Sequence, residues 1–169
     1  MTFIVPFDGS ELAETALVRA QEFSDVLQEK SVVAVSVIPK GNTEYARDHG
    51  WLPPDEPFEI ESVVEKLHKQ VISLAPSAGF RHLTVDRYAP SGTIASRVRR
   101  FAKTEDASMV FIGSENAGHI VTGISSVGGN VATEDVYDVV IIRNRSPSKV
   151  AAVREASPYN TSKSEFYVS

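Results

Sequence analysis

The chain has 169 residues, a net charge of −5 and no cysteine. The negative balance argues against non-specific nucleic-acid binding, which needs clustered Lys and Arg to neutralise phosphates. The missing thiols exclude a disulfide framework, a thiolate metal site and a cysteine nucleophile. At 42% hydrophobic and 23% charged residues, the composition is that of an ordinary globular domain. No run approaches the ~20 apolar residues of a membrane span, so no membrane contact is expected. Met1-Thr2-Phe3-Ile4-Val5-Pro6 has neither the basic start nor the apolar length of a signal peptide, so a cytoplasmic location is expected.

Read in order, strand-like and helix-like segments alternate. Phe3-Ile4-Val5-Pro6-Phe7 is a short apolar run that stops at the turn Asp8-Gly9-Ser10. A helix is predicted over residues 11–27, where Leu12, Ala13, Ala16, Leu17 and Ala20 recur at spacings of three and four. Asp8 or Ser10 offers an oxygen to cap it. Further strands are predicted over 32–38, 83–88, 108–112 and 139–142. Such runs lack polar alternation, which suits parallel strands buried on both faces. Helices are predicted over 59–75 and 93–103. A last one follows Ser125, despite Gly128 and Gly129, each of which costs about 1 kcal/mol against Ala.

This alternation predicts an α/β fold, a three-layer doubly wound sheet of five mainly parallel strands with helices on both faces. We take the strand order as 3-2-1-4-5, which sets the first and fourth strands side by side. Their turns, Asp8-Gly9-Ser10 and Gly113-Ser114, then open into one crevice at the carboxyl ends of the strands, where ligands bind in such sheets. Residues 39–57 are long for a βα connection and hold Tyr45, Trp51, Pro53 and Pro54. They read either as a lid or dimer contact, or as an ordered loop whose aromatics seal the sheet edge. The domain is expected to span residues 1–145. Residues 146–169 form a C-terminal tail, disordered or docked on the domain or a dimer partner.

Four features in this order resemble the universal stress proteins. They are Val5-Pro6-Phe7-Asp8-Gly9-Ser10 closing the first strand, Pro90 before the third helix, Gly113-Ser114 after the fourth strand, and Val139-Val140-Ile141-Ile142-Arg143 at the end. The resemblance implies ATP or AMP with Mg as the ligand, and a crevice built from a Gly-x2-Gly-x9-Gly-Ser/Thr segment after the fourth strand. In that arrangement Asp8 meets the nucleoside end and Val37 lines the adenine pocket. Gly113, Asn116, Ser125, Ser126 and Val127 surround the ribose and phosphates. The chain departs from the pattern. Asn116 stands at the second glycine position and Ser125 at the third, the connection is one residue shorter, and Glu115 replaces a basic residue common in relatives. Glycines there let backbone approach phosphate, and exposed N–H groups hold its charge.

No catalytic set emerges. His49, His68, His82 and His119 show no metal-ligand spacing, and no metal site is expected. Neither a nucleophile elbow nor a Gly-x4-Gly-Lys-Ser/Thr phosphate loop is present. The basic residues Arg97, Arg99, Arg100 and Lys103 read as a solvated helix face. The chain is therefore expected to be a non-enzymatic stress-response module with a degenerate nucleotide-binding crevice, homodimeric through the Val139–Arg143 edge strand. The alternative is an ATP- or AMP-binding member with weak ATP hydrolysis.

Overall fold

A computed structural model describes residues 1–28, 31–125 and 137–159. Five strands form one sheet: β1 (Thr2–Pro6), β2 (Ser31–Pro39), β3 (Gly79–Val85), β4 (Ala107–Gly113) and β5 (Asp138–Ile142). Their order is β3-β2-β1-β4-β5 and every pairing is parallel. The doubly wound order expected from the sequence is therefore the order observed. Six helices accompany them among the described residues: α1 (Glu11–Leu27), α2 (Thr43–Asp48), α3 (Ile60–Leu74), α4 (Ser91–Thr104), α5 (Ser114–Ser125) and α6 (Pro147–Ala156).

Burial on both faces explains the unbroken apolar runs. Phe3 and Val5 of β1 join Ala34 and Ile38 of β2 and Phe111 of β4 in one hydrophobic cluster, beneath α1, α3 and α6. Ile4, Val35, Val37, Val110 and Ile112 point the other way, into a cluster closed by α4 and α5. Successive strand residues thus feed alternate cores, and neither needs to be polar. The β3 edge is different. Its residues are mostly exposed or half-buried, with Arg81 and His82 facing solvent. That weak apolar signal displaced the expectation to 83–88, whereas the strand lies at Gly79–Val85.

α1 begins where its cap dictates. The Ser10 hydroxyl accepts from the Ala13 N–H at 3.2 Å, and Glu11 and Glu14 place negative charge in the first turn. The start of α1 lies hard against the end of β4. A methyl group built on Gly113 would stand 2.7 Å from the Leu12 β-carbon. Here a glycine permits close helix–strand approach.

α6 lies across α1 and α3, with Val150 buried and Val153 packed against the same core. Its basic residues meet acidic residues of α1. Lys149 Nζ lies 2.7 Å from Glu22 Oε2, and Arg154 pairs with Glu14. Burial holds the Glu14 carboxyl above its usual pKa, with Arg154 offsetting only part of that cost. The fourth helix expected after Ser125 lies outside the described residues, as does Phe166-Tyr167-Val168.

Two consequences can be measured by denaturant unfolding. Gly113→Ala is expected to lower stability by about 1–3 kcal/mol, because Leu12 and the first turn of α1 must move to admit the methyl group. Arg154→Met is expected to cost about 1–2 kcal/mol at pH 7, by leaving the half-buried Glu14 carboxylate without its cation. A raised folded-state pKa means that ionising Glu14 costs stability as pH rises through that value. The deficit of the variant should therefore shrink at pH 4, where Glu14 takes up its proton.

Candidate functional site

The exit of β1 from the sheet is held by residues of β2, of the segment that follows it, and of α5. Phe7 continues the pairing, its N–H reaching the Val35 carbonyl at 2.8 Å. The Phe7 carbonyl accepts from the Ser36 hydroxyl at 2.5 Å. The next carbonyl, that of Asp8, accepts from the indole N–H of Trp51 at 2.7 Å. Gly9 then turns with φ +83°, a conformation glycine adopts without strain. The Asp8 side chain completes the bend. One oxygen accepts from the Ser10 N–H at 2.9 Å, and the other from the Asn116 side-chain amide at 3.2 Å. Asp8 therefore orders the turn and joins it to α5, while Ser10 does the capping.

The bond between Asp8 and Asn116 follows from topology. β1 and β4 are neighbours in register, with Phe3 opposite Met109 and Ile4 opposite Val110. Their carboxyl ends emerge together, and between them opens a cleft of about 110 Å³. Pro6, Phe7, Asp8, Val35 and Val37 form its floor, and Ile112, Asn116 and Ile120 one wall. Ser91, Ile94, Ala95 and Val98 of α4 form another, and Tyr45 closes the rim. The cleft is thus mostly apolar with a few converging polar groups, the usual character of a small-molecule site.

Of the residues that the resemblance assigns, Asp8, Val37 and Asn116 line this cleft. Gly113 does not; its hydrogen faces Leu12. Ser125 is the last residue of α5, and Ser126 and Val127 lie outside the described residues. The segment after β4 is helical from Ser114 onward, where the sequence reading placed an open connection. Within such a helix, N–H groups beyond the first turn are engaged by carbonyls four residues back and face no ligand. The first turn itself carries Glu115, whose carboxylate lies 3.0 Å from the Arg145 guanidinium. The same guanidinium lies 3.3 Å from Glu11, and Thr15 bonds the Arg145 carbonyl. Among the described residues, no three His, Asp or Glu side chains gather as a metal site.

Tyr45 and Trp51 carry roles that the motif comparison did not assign. They belong to residues 39–57, which are ordered and partly helical. Ala46, Trp51 and Leu52 are buried, and Asn42 caps α2 by accepting from the Tyr45 N–H at 3.0 Å. The Tyr45 ring stacks on His49 with centroids 4.0 Å apart, and meets Trp51 edge-on at 5.5 Å. His49 Nδ1 and the Tyr45 carbonyl lie 2.8 Å apart, fixing the stack. The available signal was two aromatics in an overlong βα connection. It pointed to a wall or a lid, without identifying the atoms the aromatics would meet.

Tyr45 reports on the electrostatics of the cleft. Burial raises the phenol pKa above its ordinary value, and the negative charge of Asp8 raises it further. In a spectroscopic pH titration, Tyr45 should ionise later than an exposed tyrosine. Asp8→Asn should bring its midpoint down without restoring the ordinary value, since burial remains; an unmoved midpoint would place Asp8 away from the ring.

The family model described as universal stress protein family matches residues 1–143. A universal stress protein crystallised in complex with cAMP shares 19% identity, with a TM-score of 0.49 over 85% of this chain and 97% of that one. A universal stress protein from Archaeoglobus fulgidus also shares 19% identity, with a TM-score of 0.47 over 85% of this chain and 93% of its own. No curated protein matches the chain. No helix among the described residues is long and apolar enough to cross a membrane. The match spans all five strands and the turn motifs that bound the cleft, and on that ground the chain belongs to the universal stress protein family.

Proposed function

We propose that this chain is a homodimeric, non-enzymatic stress-response module whose nucleotide crevice is degenerate at its phosphate end. The observation that carries the reading is the first turn of α5. Where a phosphate-binding segment would present glycine backbone, the chain has a helix bearing Glu115, tied to Arg145. The lining elsewhere supports this reading, with apolar Val35, Val37 and Ile112 beside the Asp8 carboxylate. Absence of catalysis is supported by the site chemistry. Among the described residues that line the cleft, the one carboxylate, Asp8, is engaged in holding the turn.

The two sheet edges differ in a way that favours pairing through β5. β3 carries Arg81 and His82, and charged residues on an edge discourage added strands. β5 presents Val139, Val140 and Ile141, with Ile141 37% exposed, and among the described residues it pairs only with β4. A second copy joining here would satisfy the free backbone groups and cover these apolar side chains. The alternative, an ATP- or AMP-binding member with weak hydrolysis, draws support from the meeting of Asp8, Val37 and Asn116 in one cleft.

The same protein sample separates the two readings. A nucleotide at a hundred times its dissociation constant adds about 2.7 kcal/mol of stability. The degenerate reading expects no rise in melting temperature with millimolar ATP and Mg²⁺; a clear rise favours the alternative. Sedimentation at micromolar concentration is expected to show a dimer, and a monomer alone would remove the β5 interface.

A further inference from the structure

A second cleft lies over the carboxyl ends of β2 and β3 and shares no lining residue with the crevice. Its volume is about 1010 Å³, at the top of the roughly 300–1,000 Å³ range of ligand sites. We infer that it binds a short peptide with free, charged ends. The carboxylate end lies against Lys40, Arg87 and Arg97, and the ammonium end against Glu59 and Glu61. Nothing in this site depends on what the crevice binds.

Topology lays charge out across the cleft. α3 covers one face of the sheet, through Val63, Leu67 and Val71, and α4 covers the other, through Ala95 and Val98. Glu59 and Glu61, at the start of α3, therefore stand on one lip. Arg97 of α4 stands on the other, and Lys40, Asp86 and Arg87 lie between them, where β2 and β3 end. A ligand that spans the cleft meets an acidic lip at one end. At the other it meets a floor and lip where three cations outnumber Asp86. The two lips belong to layers on opposite faces of the sheet, so a ligand reaching both is longer than one amino acid. Three to five extended residues span ~10–17 Å.

These charges are not spent on one another. Among the described residues, no ion pair or hydrogen bond engages the side chains of Lys40, Arg87 and Arg97. By contrast, Arg19, Lys69, Arg81, Arg145, Lys149 and Arg154 all have carboxylate partners. Arg87 is also held in place without a counter-ion. Gly41 turns at φ +77°, and a β-carbon built there would stand 3.1 Å from an Arg87 guanidinium nitrogen. The guanidinium thus occupies space that any side chain at position 41 would take. The Lys40 N–H reaches the Val85 carbonyl at 2.9 Å, and the Asn42 amide donates to the Arg87 carbonyl at 2.7 Å. Both basic residues are therefore tied to the strand ends. A planar cation already packed offers its fork of donors to a carboxylate with little further loss of freedom. A simple anion would use the basic side alone and leave the acidic lip opposed to it.

Amide chemical shifts of the full chain, followed by nuclear magnetic resonance at low ionic strength, test this with three probes: tetra-alanine with free ends, the same peptide acetylated and amidated, and inorganic phosphate. Free tetra-alanine is expected to shift the amides of Gly41, Thr84 and Thr93 saturably and to leave those of Asp8 and Asn116 in place. Capping both ends is expected to weaken binding at least about tenfold, the scale of the charge-assisted hydrogen bonds it removes. Arg87→Gln and Glu61→Gln, both at exposed positions, should each weaken the free peptide by about tenfold. With only the carboxylate end amidated, Arg87→Gln should have no further effect, whereas Glu61→Gln still should. Equal binding of free and capped peptide overturns the inference. So do phosphate binding as tightly as the free peptide, shifts confined to the crevice, or no binding at all. None of these outcomes bears on stabilisation by ATP with Mg²⁺, the measurement on which the degenerate-crevice reading stands or falls.

Discussion

Two consecutive carbonyls decide where β1 leaves the sheet. A strand flanked by parallel neighbours has its backbone satisfied until it turns, and the turn then strands polar groups in a nearly dry region. Each such group costs about 1–3 kcal/mol if left unpaired. Here the Phe7 carbonyl is met by Ser36 and the Asp8 carbonyl by Trp51. The donors come from β2 and from the segment that follows it. The bend of β1 is thus held by chain 29 and 43 residues further on. Crevice position, the start of α1 and the placing of Tyr45 all depend on that bend.

The same dependence organises the electrostatics. Asp8 is fixed by its own turn and by Asn116, so its charge lies at a defined point of the cleft, where Tyr45 feels it. Glu11 and Glu115 occupy the first turns of α1 and α5, which converge because β1 and β4 are adjacent. Acidic side chains there also suit the helix macrodipoles. Arg145 bridges the two turns and leads the chain over Thr15 into α6. Each exposed pair is worth at most about 1 kcal/mol. Their combined effect is to occupy, with protein charge, the rim that an anion would need.

The fold was readable wherever one local rule dominated. α1 was bounded correctly because its cap and apolar periodicity agree, and the central strands because burial on both faces leaves unbroken apolar runs. β3 was misplaced because an edge strand needs only partial apolarity, and Arg81 and His82 hide it. α2 was missed because six residues with one buried side chain, Ala46, carry too little periodicity to register. For α5, glycines and polar residues suggested an open connection, yet Ala117 and Ile120 are buried and hold the segment as a helix. The cleft itself was locatable from the paired turns. Its walls were not, since Ser91 and Tyr45 reach it through contacts far apart in sequence.

The motif residues show why family likeness and ligand chemistry separate in this chain. Gly113 is required by the nearness of Leu12, whatever occupies the crevice. Asp8 and Ser10 order the turn and begin α1. Ser36 and Trp51 satisfy carbonyls that would otherwise be buried without partners. Each of these residues has a full structural reason to be present with the crevice empty. The chain departs from the family pattern at Glu115, Asn116 and Ser125, and there too Asn116 ties Asp8 to α5 and Glu115 pairs with Arg145. A motif read from the sequence therefore reports on the bend of β1 and the packing of α1. The lining of the crevice away from that bend is chiefly aliphatic, from Val35 and Val37 of β2 and Ile94, Ala95 and Val98 of α4, and carries no part of it.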